Sequence, residues 1–160
     1  MSEITLSCTV NDRVFNGTIA SNLLLIDFLR DRLGLTGVKQ SCEVQVCGTC
    51  TVLIDGQPVS SCCHLAADIG GRQVTTIEGV VGSVYHERVS AAFMKHAALQ
   101  CGFCTAGMIL TIKALGDQEG ELSRDEVRQA LSGNLCRCTG YQSVLDAACE
   151  TLGVAEASHP

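Results

Sequence analysis

The sequence predicts an α+β chain in which a β-grasp half comes first and a four-helix bundle second. Three observations carry this. A strand-like pattern with hairpin turns runs from Ile4 to about Ile77, a helical repeat replaces it beyond a Gly/Val stretch at 78–83, and each half holds its own group of cysteines. The expected division is therefore residues 1–77 and 78–160.

The elements follow in order. Ile4–Val10 and Val14–Ile19 alternate as strands and are joined by the turn residues Asn11 and Asp12, which makes a hairpin. Ser21 stands as the N-cap of a helix over Leu23–Leu33, and Gly34 sits where a left-handed residue would end it. Thr51–Ile54 reads as a strand, Asp55-Gly56 as a two-residue turn, and Gln57–Ser60 as the returning strand. Strands, one helix and a further hairpin are the ingredients of a β-grasp. Past the connection Glu78–Ser83, apolar residues repeat helically over Glu87–Leu99 and again over Thr105–Leu115. Ser123 and Glu126 form a capping box that opens a third helix ending at Gly133, and Ser143–Leu152 makes a fourth. The tail Val154–Pro160 reads as frayed.

Eight of the eleven cysteines fall into two quartets. The first, Cys42-x4-Cys47-x2-Cys50-x11-Cys62, has the plant-type ferredoxin spacing, in which thiolates on a tight loop grip a [2Fe–2S] cluster and a distant cysteine closes the cage. Its loop falls between the helix and the second hairpin, where irregular backbone can aim N–H groups at sulfur. The second, Cys101-x2-Cys104-x31-Cys136-x1-Cys138, places a C-x2-C and a C-x-C at two helix junctions, so each pair is expected to supply one iron of a second [2Fe–2S] cluster. Structural zinc is the competing reading of a C-x2-C, but zinc sites use two such pairs, and the first quartet has a single one with a third cysteine five residues upstream. Cys62 and Cys63 compete for the fourth place in the first set, and the phrase Val59-Ser60-Ser61-Cys62 favours Cys62. Cys8, Cys63 and Cys149 read as small buried hydrophobes. A Rieske site needs two histidines: His64 lacks a spaced partner, and His86, His96 and His159 read as solvated. Arg137, between two candidate ligands, either raises the local potential by its charge or makes a surface salt bridge. No paired carboxylates and no nucleophile signature are present.

Composition narrows the setting. A net charge of −6 without a Lys/Arg cluster excludes nucleic acid and anionic membrane as natural partners. No apolar stretch approaches a membrane span, and the start lacks a secretory signal, so a cytosolic setting is expected, where cysteines serve as metal ligands rather than disulfides. A mean hydropathy of +0.26 fits either surface covered by other subunits or apolar helices around a cluster.

The phrases C-G-T-C-T-V, V-S-S-C, Q-C-G-F-C and N-L-C-R-C-T-G-Y, in this order over nearly the whole chain, resemble the small iron–sulfur subunits of the xanthine oxidase family of molybdenum hydroxylases. The resemblance implies a plant-type ferredoxin domain followed by a helical [2Fe–2S] domain. It implies a large subunit carrying molybdopterin, in its cytosine dinucleotide form, and a medium subunit carrying FAD. It implies Cys42, Cys47, Cys50 and Cys62 as ligands of the cluster toward the flavin, and Cys101, Cys104, Cys136 and Cys138 as ligands of the cluster toward molybdenum. Gln100 and Cys138 match positions that lie against the pterin. The chain departs from the family pattern at Ser41 and Val46, where glycine is frequent, and at Ala106, where proline is frequent. The implied function is electron transfer from molybdopterin through both clusters to FAD, with no bond chemistry on this chain. A free-standing two-cluster ferredoxin or redox sensor is the alternative.

Overall fold

The computed structural model describes residues 2–118 and 120–155, so His159 and most of the tail lie outside the described residues. Strands β1 (Glu3–Val10) and β2 (Arg13–Ala20) form the first hairpin, with Asn11 and Asp12 both at positive φ (48° and 62°), the pairing that lets a two-residue turn follow the strand twist. Strands β3 (Thr51–Ile54) and β4 (Gln57–Ser60) form the second, turning at Asp55 and Gly56 (φ 49° and 80°). A strand not foreseen, β5 (Gln73–Thr75), lies between them, parallel to β1 and antiparallel to β3, giving the order β2-β1-β5-β3-β4. Three residues are too few for a visible alternation, yet Val74 is fully buried at the centre of the sheet.

The expected helix over Leu23–Leu33 is broken up. One α-helical turn, α1 (Leu25–Asp27), widens into a π-helical turn over Phe28–Arg32 and closes with Leu33 N–H donating to the Phe28 carbonyl at 3.2 Å. Ser21 does not cap it, since its hydroxyl pairs with that of Ser2 at 2.7 Å, but Gly34 does take the left-handed conformation (φ 71°). The wide turn packs Phe28 fully inside the sheet, edge-on to Phe15 at 4.9 Å.

After one further turn, α2 (Ile77–Val80), come four helices. Helix α3 (Val84–Lys95) starts earlier than expected because the Ser83 hydroxyl accepts the His86 N–H at 3.1 Å, and it ends before Ala97, which has φ 49°. Helix α4 (Thr105–Gly116) follows, then α5 (Arg124–Leu131) behind the expected Ser123/Glu126 capping box, and α6 (Gln142–Leu152), closed by left-handed Gly153. No helix among the described residues is long and apolar enough to cross a membrane.

The helices bury Phe93, Met108, Ile112, Val127, Val144 and Ala148 against one another. The two halves share a seam in which Leu53 of β3 meets Leu110 and Ala114 of α4 and Val80 of α2. A polar clasp sits beside that seam. Thr76 Oγ1 accepts from the Asn11 amide (2.8 Å) and donates to Glu78 (2.5 Å), and the other Glu78 oxygen accepts the Gly37 N–H (2.7 Å). Every polar atom of fully buried Thr76 that needs a partner at this point has one.

Candidate metal centres

The Cys42–Cys50 segment has no regular structure, and its course is set by left-handed residues at Glu43 (φ 59°), Gln45 (φ 60°) and Gly48 (φ 66°). Such turns point successive N–H groups to one side. As a result Val46 and Cys47 each donate a backbone N–H to Cys42 Sγ at 3.4 Å, and Thr49 Oγ1 donates to Cys47 Sγ at 3.2 Å. Backbone donation from Val44, Val46 and Cys47 brings the Cys42 thiol down to about 6 from an ordinary value of 9.0. Glu43 and Gln45 thereby take left-handed conformations that cost a side-chain-bearing residue about 1–3 kcal/mol each.

The other half of this set comes from the second hairpin. Thr51 pairs with Ser60, so Cys50, just before β3, meets the turn just after β4, and the Ser61 hydroxyl donates to the Cys50 carbonyl at 2.7 Å. That register explains the eleven-residue gap to Cys62. Burial pushes the Cys50 thiol up to about 11, and the neighbouring Cys62 sulfur adds to the rise. Cys8 and Cys149 are buried as expected, whereas Cys63 is exposed, contrary to the expectation of a buried hydrophobe.

In the helical half, Cys101 and Cys104 lie before α4, and Cys136 and Cys138 lie between α5 and α6. The sulfurs pair across these loops rather than within them. Cys138 Sγ stands 3.7 Å from Cys101 Sγ, and the neighbouring Cys136 sulfur adds to the rise of the Cys104 thiol. The spatial pairs cut across the sequence pairs, so that each sequence pair contributes one sulfur to each. Cys136 Sγ accepts from the N–H groups of Cys138 and Thr139, both at 3.4 Å, and from Thr139 Oγ1 at 3.1 Å. Burial raises the Cys136 thiol, but these donors outweigh it and bring the group to about 7, while burial drives its partner Cys104 up to about 12.

Among the described residues no three His, Cys, Asp or Glu side chains converge on one metal position. Sulfurs joined two by two, with N–H and O–H donors aimed at them, suit a dinuclear iron–sulfur group of about −2 charge better than a single zinc ion.

The two sets meet at one junction that sequence reasoning missed. The Leu135 N–H donates to the Cys47 carbonyl at 2.9 Å, and the buried Asn134 amide donates to the Gly48 carbonyl at 3.0 Å while accepting from Thr111 Oγ1 at 2.9 Å. The contact is close enough to require glycine, since a Cβ on Gly107 would lie 2.3 Å from the Gly48 carbonyl oxygen. Both sets open on a shared cavity of about 430 Å³, whose wall includes Phe103, Leu135, Arg137 and Tyr141. Arg137 makes no ion pair among the described residues, so the salt-bridge reading gains nothing. Tyr141 is held at φ 70° with its hydroxyl accepting the Cys136 N–H at 3.0 Å. Gln100 Nε2 donates to the Cys138 carbonyl at 2.9 Å, so these two residues share one exposed surface.

Two outcomes are expected. In the metal-free chain, alkylation by iodoacetamide, which attacks the thiolate, should rise with pH around a midpoint near 6 at Cys42 and near 7 at Cys136. Peptide mapping across a pH series reads this directly, and midpoints near 9 at both would contradict the hydrogen-bond cradles. Gly107→Ala should destabilise the chain by roughly 1–3 kcal/mol through the backbone shift it forces. Urea unfolding followed by circular dichroism would measure the loss, and an unchanged midpoint would show that the junction is loose.

Comparison with known proteins agrees with this organisation. A "2Fe-2S iron-sulfur cluster binding domain" model matches residues 25–89, and a "[2Fe-2S] binding domain" model matches residues 76–149. The chain is 42% identical to the nicotinate dehydrogenase small FeS subunit of Eubacterium barkeri, over 88% of this chain and 90% of that one. It is also 42% identical to the xanthine dehydrogenase iron-sulfur-binding subunit of Escherichia coli O157:H7, over 89% of this chain and 91% of that one. The structure matches a chain of quinoline 2-oxidoreductase from Pseudomonas putida 86 with a TM-score of 0.86 and 42% identity, over 94% of each. Two matching [2Fe-2S] domain models and relatives matched over most of their length place the chain in one family: it belongs to the small iron–sulfur subunits of the xanthine oxidase family of molybdenum hydroxylases.

Proposed function

We propose that this electron-transfer subunit carries electrons from a molybdopterin centre on a large partner subunit, through two [2Fe–2S] clusters, to FAD on a medium partner subunit. Residues 1–77 would form a plant-type ferredoxin-like β-grasp domain holding one cluster through Cys42, Cys47, Cys50 and Cys62. Residues 78–160 would form the helical domain holding the other through Cys101, Cys104, Cys136 and Cys138. Each cluster, when bound, takes up and releases a single electron, which lets a two-electron donor unload in two steps.

The observation that carries the reading is the hydrogen bond from Leu135 N–H to the Cys47 carbonyl. It joins a candidate ligand of one set to the neighbour of Cys136 in the other, so the chain offers a continuous route of covalent bonds and one hydrogen bond. The remaining residues tune and protect that route. N–H donors on Cys42 and Cys136 stabilise added negative charge on sulfur, and the guanidinium of Arg137 acts in the same sense. Burial of Cys50 and Cys62 keeps water from their sulfurs. Gln100, tied to the Cys138 carbonyl, presents an amide able both to donate and to accept, as a pterin ring requires. A reducing, cytosolic setting would keep the eight candidate ligands among the eleven cysteines available for metal.

The native complex, reduced with dithionite, should give two distinct [2Fe–2S] EPR signals, with molybdenum and flavin present in the same sample. A single signal, or bound zinc, would overturn the assignment. Arg137→Gln should lower the midpoint potential of the helical-half cluster by tens of millivolts, the scale of about 1 kcal/mol for a charge at this range, and shift the other by less. Potentiometric titration of the two signals separates these outcomes.

A further inference from the structure

The first site has five sulfurs around it, not four. Cys63 follows Cys62 in the short 3₁₀ turn Ser61–Cys63, yet its side chain is exposed where that of Cys62 is buried. Its Sγ stands 3.7 Å from Cys62 Sγ, the same separation found between Cys101 and Cys138, a pair seated together on the second site. Cys63 Sγ also reaches the Glu43 carbonyl at 3.6 Å, which fastens it against the loop that carries Cys42. The fifth sulfur is therefore held between the two halves of the site, at its solvent edge, rather than pointing away from it.

Resting on the ligand assignment proposed above, we infer that Cys63 is a reserve ligand of the first cluster, able to take the place of Cys62. The exchange is redox-neutral. The Cys63 thiol gives up its proton and its sulfur enters the vacated position, while the Cys62 sulfur takes up a proton as it leaves. Only the three-residue turn has to adjust, because Ser61 remains tied to the Cys50 carbonyl through both its N–H (3.3 Å) and its hydroxyl (2.7 Å). Four-sulfur coordination would thus survive chemical or mutational loss of Cys62.

The test uses the intact complex carrying Cys62→Ala, alone and together with Cys63→Ala. The single variant should keep both reduced EPR signals, the first with shifted g-values, and the double variant should keep only the second. The second signal reports in the same sample that the chain has folded, so its presence without the first in Cys62→Ala overturns the proposal. Should the alanine variant not accumulate, Cys62→Ser and Cys62→Ser/Cys63→Ala decide the matter: different first-site spectra support a sulfur supplied by Cys63, and identical spectra overturn it. Failure of the underlying assignment would look different, since the unaltered complex would then lack two [2Fe–2S] signals.

Discussion

The contact on which both candidate metal centres depend is the one between Gly48 and the Gly107/Asn134 pair. Two backbones approach here without an intervening side chain, and a Cβ at either glycine would lie 2.3 Å from a carbonyl oxygen. Asn134 is 4% exposed, so its amide must be satisfied within the protein, and it is, by the Gly48 carbonyl and the Thr111 hydroxyl. Leaving such a group unpaired costs about 1–3 kcal/mol, which makes the contact specific as well as close. The adjoining Cys47–Leu135 hydrogen bond then fixes one cysteine loop against the other. Spacing between the two sets of sulfurs is thus a property of backbone packing, not of flexible side chains.

The two sets share an electrostatic plan. Each combines one thiol brought down to near neutrality by N–H donors, Cys42 or Cys136, with one driven up by burial, Cys50 or Cys104. The first kind offers a thiolate ready to bind metal, and the second excludes water on the far side of the site. Such donors matter in a chain whose net charge is already −6, because two dianionic groups would deepen that charge and few cations stand near to offset it. Backbone N–H dipoles supply positive potential without adding a side chain that would need its own space.

What the sequence disclosed was whatever depends on local spacing. The two hairpins, the Ser123 capping box and the grouping of eight cysteines all rest on residues a few positions apart. The remainder required the fold. Strand β5 is three residues long and takes its place only because β1 and β3 leave a gap for it. The crossed pairing of Cys101 with Cys138 depends on how α4 and α6 face each other, which a C-x2-C and a C-x-C cannot disclose. Asn134 sat inside the quoted phrase N-L-C-R-C yet carried no mark of its role, since its partner is 86 residues away. The widening of α1 into a π-helical turn likewise follows from seating Phe28 under the sheet rather than from propensity.

Backbone strain is distributed in a telling way. Asn11, Asp12 and Asp55 take positive φ in hairpin turns, where short polar side chains tolerate it. Glu43, Gln45, Ala97 and Tyr141 take it without that tolerance, and all of these but Ala97, which ends α3, lie in the cysteine loops. Each costs on the order of 1–3 kcal/mol, so these loops would not hold their shape in isolation. They are held because the sheet core on one side and the helical core on the other are fixed by the Leu53–Leu110 seam and the Thr76 clasp. In return, Glu43 and Gln45 turn N–H groups onto Cys42, and Tyr141 places its hydroxyl under the Cys136 N–H. Stability gained in two ordinary cores is thereby converted into fixed positions for sulfur, the property an electron-transfer subunit needs most.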